Sequence, residues 1–312
     1  MPKLTVTLKR YVKGIISFLP ATGRFFREPT GGTESARYCY AVWLRHLTMA
    51  RESGLSDNPR VVAELGPGDS IGVGLAALLT GAEKYYAFDV CQYATNQRNI
   101  VIFEELLRLV SDRSPIPGAQ EFPRLVPVLG AYHFPSGILT EGRLAECLRK
   151  DRVERIRRSV ASNAAADSMI QYRAPWFDGR VIEPETVDMV YSQAVLEHVD
   201  DIAGTYRAMR AWLKPGGFMS HVISFDSHGM HEAWNGHWTY SDLQWRIIRG
   251  NLPWLLNREP CSTHTRLLQE LGFKKVREMK VKAPSAIDRK KLARHFRNLP
   301  DDDLVTHSVF VQ

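Results

Sequence analysis

Long apolar runs, paired cysteines and internal repeats are all absent from this chain of 312 residues. No stretch reaches the roughly 18 apolar residues that a membrane-spanning helix needs, so the sequence excludes a spanning helix. The cysteines stand far apart, at Cys39, Cys91, Cys147 and Cys261, and none forms a Cys-x-x-Cys pair. This spacing indicates neither a zinc knuckle nor a disulfide framework. We therefore expect a reducing compartment, the cytoplasm.

The chain also lacks a large excess of either positive or negative charge. Lys and Arg total 41 against 34 for Asp and Glu, which gives a net charge of +7. This excess permits an anionic partner but does not require nucleic acid. Hydrophobic residues make up 44% of the chain and charged residues 24%, which excludes wholesale disorder and collagen-like or coiled-coil structure. The length fits one large α/β domain with insertions as well as two domains.

Acidic residues are missing from the first 27 positions, where basic residues are interleaved with apolar ones. This pattern predicts an amphipathic segment, for which two interpretations are open. Its apolar side packs on its own domain, as in most amphipathic segments, or residues 1–27 lie on an anionic membrane surface. The first interpretation is favoured. We divide the chain into an N-terminal extension with a helix (1–58) and one domain (59–312).

Short apolar strands alternate with helical patterns after residue 60. The predicted strands are 61–65, 84–88, 169–172, 187–191, 218–225, 273–281 and 304–311. The predicted helices are 35–50, 71–79, 92–110, 141–159, 201–213 and 262–271. This alternation predicts an α/β fold with a doubly wound, mostly parallel seven-stranded sheet. A proline-rich break at about 111–165 predicts a helical and loop insertion, either a lid over the ligand-binding edge or a peripheral decoration.

A glycine-containing turn, Glu64-Leu65-Gly66-Pro67-Gly68, follows the first predicted strand. Glycines permit a sharp bend and the close approach of a ligand, and the helix behind them offers free amides. The dinucleotide fingerprint G-x-G-x-x-G is incomplete, because Ile71 stands where its third glycine belongs. Asp89 ends the next strand, where a carboxylate can accept hydrogen bonds from ribose hydroxyls. The turn and Asp89 together predict a nucleoside site.

Two further motifs follow in the same order along the chain. Ser192-Gln193-Ala194-Val195-Leu196-Glu197-His198 comes after the fourth strand, and Lys214-Pro215-Gly216-Gly217 precedes the fifth. With the turn and Asp89, this arrangement resembles the class I S-adenosylmethionine-dependent methyltransferases over about residues 60–225. The resemblance implies a Rossmann-like methyltransferase fold and S-adenosyl-L-methionine as the cofactor.

The resemblance also implies a role for individual residues in binding that cofactor. Glu64, Gly66, Pro67 and Gly68 would line its methionine part, and Asp89 would hold the ribose with Val90 beside the adenine. Ala174, Pro175 and Trp176 would form the adenine-facing turn, and Ser192 and Gln193 would lie beneath the sulfonium.

Histidines concentrate after the fourth and fifth predicted strands, at the ends of the strands where ligands bind. Methylation of a hydroxyl needs a base, which is usually His, Asp or Glu. We predict His228 as the first candidate, with His198, His231 and His237 as the others. For His198, a structural role is an equal alternative, although Leu196–His198 also resembles ubiquinone-pathway O-methyltransferases.

Two other interpretations of these histidines are open. A divalent metal held by Asp226 and His228 could orient a diol, although we assign no metal ligand. The histidines could instead bond to the backbone. Four tryptophans in the same region either stack on the acceptor or pack in the core: Trp234, Trp238, Trp245 and Trp254.

The leading functional hypothesis is O-methylation of a small molecule or of a sugar or glycan hydroxyl. The alternatives are an N-methyltransferase, an RNA methyltransferase, or a non-catalytic membrane-associated protein that retains the fold. Nucleic acid is disfavoured as a partner, because the fourth strand is not followed by the Asn/Asp-Pro-Pro-Tyr/Phe motif of base methylation. The protein is predicted to be cytoplasmic, with peripheral membrane contact through residues 1–27 as the alternative. The sequence specifies neither the acceptor nor the oligomeric state.

Overall fold

The computed structural model describes residues 2–19, 31–55, 57–162, 168–176, 178–252 and 255–312. Trp254, residues 20–27 of the N-terminal segment and the last residues of the predicted insertion lie outside the described residues. The strands are β1 (Val61–Leu65), β2 (Lys84–Phe88), β3 (Ile170–Arg173), β4 (Val187–Gln193), β5 (Leu213–Ser224), β6 (Glu278–Lys282) and β7 (Thr306–Val311). The α-helices of the described residues are α1 (Pro2–Ser17), α2 (Ala36–Glu52), α3 (Gly72–Leu79), α4 (Asn96–Ser111), α5 (Glu141–Cys147), α6 (Lys150–Ala161), α7 (Ile202–Trp212), α8 (Asp242–Arg249), α9 (Cys261–Glu270) and α10 (Asp301–Val305).

The seven strands form one sheet in the order β3-β2-β1-β4-β5-β7-β6. Strands β1 to β5 are parallel, and β7 runs antiparallel to both β5 and β6. The predicted mostly parallel seven-stranded α/β fold is therefore confirmed. The chain reverses its direction of winding between β1 and β4. Ligands of open α/β sheets bind at the carboxyl ends of the strands at such a reversal.

Helices cover both faces of the sheet, as a doubly wound fold requires. On one face, α2, α3 and α4 enclose a core that includes Trp43, Tyr85 and Phe103. On the other face, α7 and α9 pack over a core that includes Phe88 and Trp212. Because most of α2 is buried, this helix is part of the domain core rather than an appendage to it.

Several element boundaries differ from the predicted ones. The predicted helix 141–159 is divided into α5 and α6, and β5 begins at Leu213, where it pairs with Val187. Helix α9 begins at Cys261, and Ser262 does not cap it. The Ser262 amide and hydroxyl instead donate to the Asp303 carboxylate at 2.9 and 2.6 Å. A carboxylate from a distant segment thus accepts a hydrogen bond from a backbone N–H in the first turn of α9. The local sequence around α9 could not indicate this contact.

The proline-rich part of the insertion is attached to α2 through Arg45, whose side chain is buried. The guanidinium donates to the carbonyl oxygens of Leu125, of Pro127 at 2.9 Å and of Pro117 at 2.8 Å. Residue 126 in turn accepts a hydrogen bond from Gln193 at the end of β4. The insertion therefore borders the edge of the sheet at which ligands are expected.

Helix α1 packs on α8 through Gly14, and its Tyr11 packs against the apolar cluster that includes Trp245 and Ile248 of α8. A Cβ atom on Gly14 would lie 2.0 Å from the carbonyl oxygen of Ile247, so only glycine permits this approach. Leu8, Val12 and Ile15 remain exposed. The favoured expectation that the apolar side packs on the domain therefore holds for Tyr11 but not for Leu8, Val12 and Ile15. Within the described residues, no helix combines the length and apolarity needed to cross a bilayer.

Candidate active site

The glycine turn lies between the end of β1 and the start of α3. Gly66 has φ +65° and Gly68 has φ +72°, both in the left-handed region that favours glycine. A Cβ atom on Gly66 would lie 2.5 Å from Cγ2 of Val195, which follows β4. The turn therefore requires glycine both for its backbone angle and for its contact with the loop after β4.

Asp89 lies against this turn, at the end of β2. The Gly68 N–H donates to Asp89 Oδ2 at 3.2 Å, and the Val90 N–H donates to Oδ1 at 2.7 Å. The carboxylate and the two glycines thus meet at the point where the sheet reverses its winding. A carboxylate can accept hydrogen bonds from both hydroxyls of a ribose, so these residues fit a nucleoside.

The predicted adenine-facing residues are placed next to Asp89 by the backbone. The Trp176 N–H donates to the Asp89 carbonyl oxygen at 2.9 Å, and Pro175 and Val90 are both exposed there. The Trp176 ring packs between Phe88 and Trp212, with centroid distances of 5.3 Å to each. Val90 and Pro175 can therefore contact a base, whereas the Trp176 ring belongs to the core beneath them.

Glu64 is buried under the first turn of α3. Its carboxyl accepts hydrogen bonds from the hydroxyls of Tyr85 and, at 3.2 Å, of Tyr191. Burial raises the pKa of Glu64 to about 8, although bonds from the two tyrosines and the Gly74 backbone act in the opposite direction. The structure therefore assigns this carboxyl to contacts within the protein core.

A substitution of Glu64 by glutamine should change how stability depends on pH. The folded protein keeps the Glu64 proton up to about pH 8, whereas the unfolded chain loses it near the ordinary value of 4.5. This group therefore lowers the free energy of unfolding as pH rises between those values, by about 1.4 kcal/mol per pH unit. The neutral amide of Glu64→Gln can accept from both tyrosines, so we expect the variant to lose this decline in urea unfolding curves. Glu121→Gln should keep the decline, because Arg37 lowers the pKa of that exposed carboxyl. Parallel pH profiles for wild type and Glu64→Gln would contradict the prediction.

Ser192 and Gln193 lie at the end of β4, and the side chain of each contacts a histidine. Ser192 Oγ lies 2.8 Å from Nδ1 of His221, and both residues are buried. Gln193 Oε1 lies 3.1 Å from Nε2 of His46 on α2. Burial lowers the pKa of His46 to about 4, so this ring is neutral. Sequence patterns could not indicate His46 as a partner, since it lies far from Gln193 along the chain.

Two loops bring an acid and two histidines together at the carboxyl edge of the sheet. Glu197 and His198 follow β4, and His228 follows β5. The three residues offer ligand atoms that all lie within 4.8 Å of one another. The two imidazole rings are 5.1 Å apart, and His228 Nε2 lies 3.9 Å from Glu197 Oε1. We call these three residues the Glu-His-His cluster.

Burial sets the charge of this cluster. It raises the pKa of Glu197 to about 8 and lowers the pKa of His228 below its ordinary value, so that His228 is neutral near pH 7. Glu197 Oε1 accepts from the Ser224 N–H at 3.3 Å, and Glu197 Oε2 has no hydrogen-bond partner among the described residues. The cluster can accept a proton, and its donor atoms could also hold a divalent cation.

Asp226 and His228, considered above only as an alternative metal pair, are arranged differently. Asp226 Oδ1 accepts the His228 backbone N–H at 2.7 Å, and Oδ2 lies 3.1 Å from Nε2 of His307. Both carboxylate oxygens thus support the loop. Among the described residues, a three-residue group that could hold a metal ion is formed with Glu197 instead.

His231 and His237 do not join the cluster. His231 Nδ1 accepts the Ala233 N–H at 2.9 Å, and its ring contacts Tyr240. His237 is buried against Trp238, and burial lowers its pKa to about 3. Trp238 and Trp245 are also buried, which agrees with the alternative that they pack in the core.

The cluster and the glycine turn are neighbours, because Val195 contacts Gly66 and lies in the same loop as Glu197. The segment before α2 covers the turn from the other side, where the Ser70 N–H donates to Thr33 Oγ1 at 3.4 Å. Glu197 belongs to the motif after the fourth strand that the sequence analysis identified. No role was predicted for Thr33 or for Val195.

Comparison with known proteins gives one family match. A family model described as a methyltransferase domain matches residues 44–278. No curated protein sequence matches the chain. A solved S-adenosylmethionine-dependent methyltransferase from Mesorhizobium loti is similar, with 14% identity, a TM-score of 0.39, and coverage of 89% of this chain and 96% of that one. Phosphoethanolamine N-methyltransferase 2 of Haemonchus contortus, in complex with S-adenosyl-L-methionine, is 12% identical with a TM-score of 0.41; the match covers 93% of this chain and 59% of that one.

Proposed function

The chain belongs to this family of S-adenosylmethionine-dependent methyltransferases, and on that premise we propose that it methylates a hydroxyl oxygen of a small molecule or of a sugar or glycan. The observation that carries the proposal is the placement of His228 beside Glu197 and His198, on loops next to the glycine turn; burial lowers the pKa of His228, which favours its neutral form. A hydroxyl must lose its proton as it is methylated, and a neutral imidazole at the ligand-binding edge can accept it.

In the proposed mechanism, one group of residues binds the cofactor and another accepts the proton of the acceptor hydroxyl. Bound S-adenosylmethionine supplies a methyl group on a positively charged sulfur. Gly66, Gly68 and Asp89 would hold the nucleoside part, and such positioning lowers the barrier to transfer. As the acceptor oxygen takes the methyl group, its proton moves to His228. His228 would hold this proton until solvent removes it after the transfer, and Glu197 Oε1, which lies 3.9 Å from His228 Nε2, would stabilise the imidazolium through its negative partial charge.

His228→Asn should lower the rate of methyl transfer by about 100-fold, the usual contribution of a general base. The assay uses S-adenosylmethionine with a deuterated methyl group and a small-molecule extract, and mass spectrometry identifies the product and the atom that carries the label. Cofactor binding, measured by calorimetry, should be unchanged in the variant. His295→Asn is the matched control, because His295 is an exposed histidine outside the cluster.

The pH profile separates a base from a merely structural histidine. Wild-type activity should rise as pH increases through a pKa below 6.5, because His228 accepts a proton only in its neutral form. His228→Asn should lack this rise. Label on nitrogen, label in nuclease-sensitive RNA, or no labelled product from any acceptor pool would each contradict the proposal. Activity that a chelator abolishes and a divalent cation restores would assign the cluster to a metal instead.

A further inference from the structure

Helix α1 and the two residues after it display a continuous apolar surface to solvent. Leu8, Val12, Ile15 and Leu19 recur with the spacing of one helical face. We define the α1 face by the apolar side chains of residues 8–19 that are between 36% and 61% exposed: Leu8, Val12, Ile15, Ile16, Phe18 and Leu19. Single exposed apolar residues are ordinary, but a contiguous set of this kind marks a surface that contacts something else.

The packing of α1 fixes this face outward. Gly14 lies against the Ile247 carbonyl of α8, and Ser17 Oγ accepts the Asn251 N–H at 2.9 Å. Arg10 on the same side donates to the Gly229 carbonyl oxygen at 3.3 Å. Rotating the helix to bury its apolar face would remove these contacts and force branched side chains against the α8 backbone. The α1 face is therefore exposed because these contacts fix the orientation of the helix.

The charge around the α1 face identifies its partner. Lys9 is exposed on α1 and Arg246 is exposed on α8, and no acidic residue occurs before Glu28. A symmetric contact with a second copy would bring these basic residues towards one another, which opposes self-association. An anionic lipid surface offers both an apolar layer and negative charge. We propose that the α1 face docks this protein on a membrane that contains anionic lipids.

This inference goes beyond the proposed function, because it does not depend on the cofactor or on the acceptor. The Arg10–Gly229 contact joins α1 to the loop that carries His228. Docking through the α1 face would therefore hold the candidate active site beside the lipid surface.

The test is sedimentation of the full chain with vesicles. We expect wild type to sediment with equal mixtures of phosphatidylcholine and phosphatidylglycerol, and not with phosphatidylcholine alone. Val12→Glu/Ile15→Glu should reduce the partition coefficient by about tenfold or more, because two charges enter the apolar layer. The matched control is Val101→Glu/Val128→Glu, which makes the same charge change at side chains that are 54% and 57% exposed elsewhere. The control should bind as wild type does.

Calorimetric binding of S-adenosylmethionine shows whether each variant is folded. If the first variant fails this check, Lys9→Glu/Lys13→Glu provides a second test, and it should lose binding to the anionic vesicles. Wild type that stays in the supernatant would overturn the proposal, as would equal sedimentation of the α1-face variant and the control. A dimer of wild type that dissociates in the Val12→Glu/Ile15→Glu variant, without vesicle binding, would assign the face to a second copy instead.

Discussion

Asp89→Ala is expected to weaken binding of S-adenosylmethionine by about 100-fold. A hydrogen bond to a charged acceptor contributes about 1.5–3 kcal/mol, and the carboxylate would lose two ribose hydroxyls, so a loss near 3 kcal/mol is a conservative sum. The substitution also removes the acceptor of the Gly68 and Val90 amides, which loosens the turn itself. Isothermal calorimetry of the purified protein measures the change directly.

Asp188→Ala is the matched control for this effect. The Asp188 carboxylate also accepts two backbone amides, from Arg60 at 2.9 Å and Val61 at 2.7 Å, but at the opposite end of β1. It should reduce the thermal midpoint without changing the affinity for the cofactor. Unchanged affinity in Asp89→Ala, or an equal loss in both variants, would show that the nucleoside is not held at the end of β2.

Arg45→Met should lower the free energy of unfolding by about 3 kcal/mol. Its guanidinium is buried and donates to the carbonyl oxygens of Leu125, Pro127 and Pro117. Methionine fills similar space but leaves these acceptors unsatisfied, at about 1 kcal/mol or more each. Burial lowers the pKa of Arg45, because the buried guanidinium loses contact with water.

Thermal and urea unfolding measure this loss, and a midpoint decrease of about 6–12 °C corresponds to it in a domain of this size. Limited proteolysis should also cut the proline-rich insertion sooner, since Arg45 attaches it to α2. Arg37→Met is the control, because Arg37 joins the same helix to the same insertion through an exposed pair with Glu121. Such a pair contributes about 1 kcal/mol or less. Equal midpoints for the two variants would contradict the proposed role of Arg45.

The sheet, the glycine turn and the position of Asp89 could all be predicted from the order of the amino acids. These features are local: strand and helix periodicities, a backbone angle that glycine favours, and a carboxylate at the end of a strand. The parallel order of the strands then places Gly68 and Asp89 side by side, because the carboxyl ends of neighbouring parallel strands meet at one edge.

The side chains that contact one another in the candidate site, in contrast, depend on the three-dimensional fold. It paired His228 with Glu197 across two loops, and it turned Ser192 and Gln193 towards histidines rather than towards the turn. It also placed Gly14 and Tyr11 of α1 against the domain and left Leu8 and Val12 exposed. Periodicity reports which residues share a face of an element, but the partner of that face is set by packing between segments that are distant in the chain.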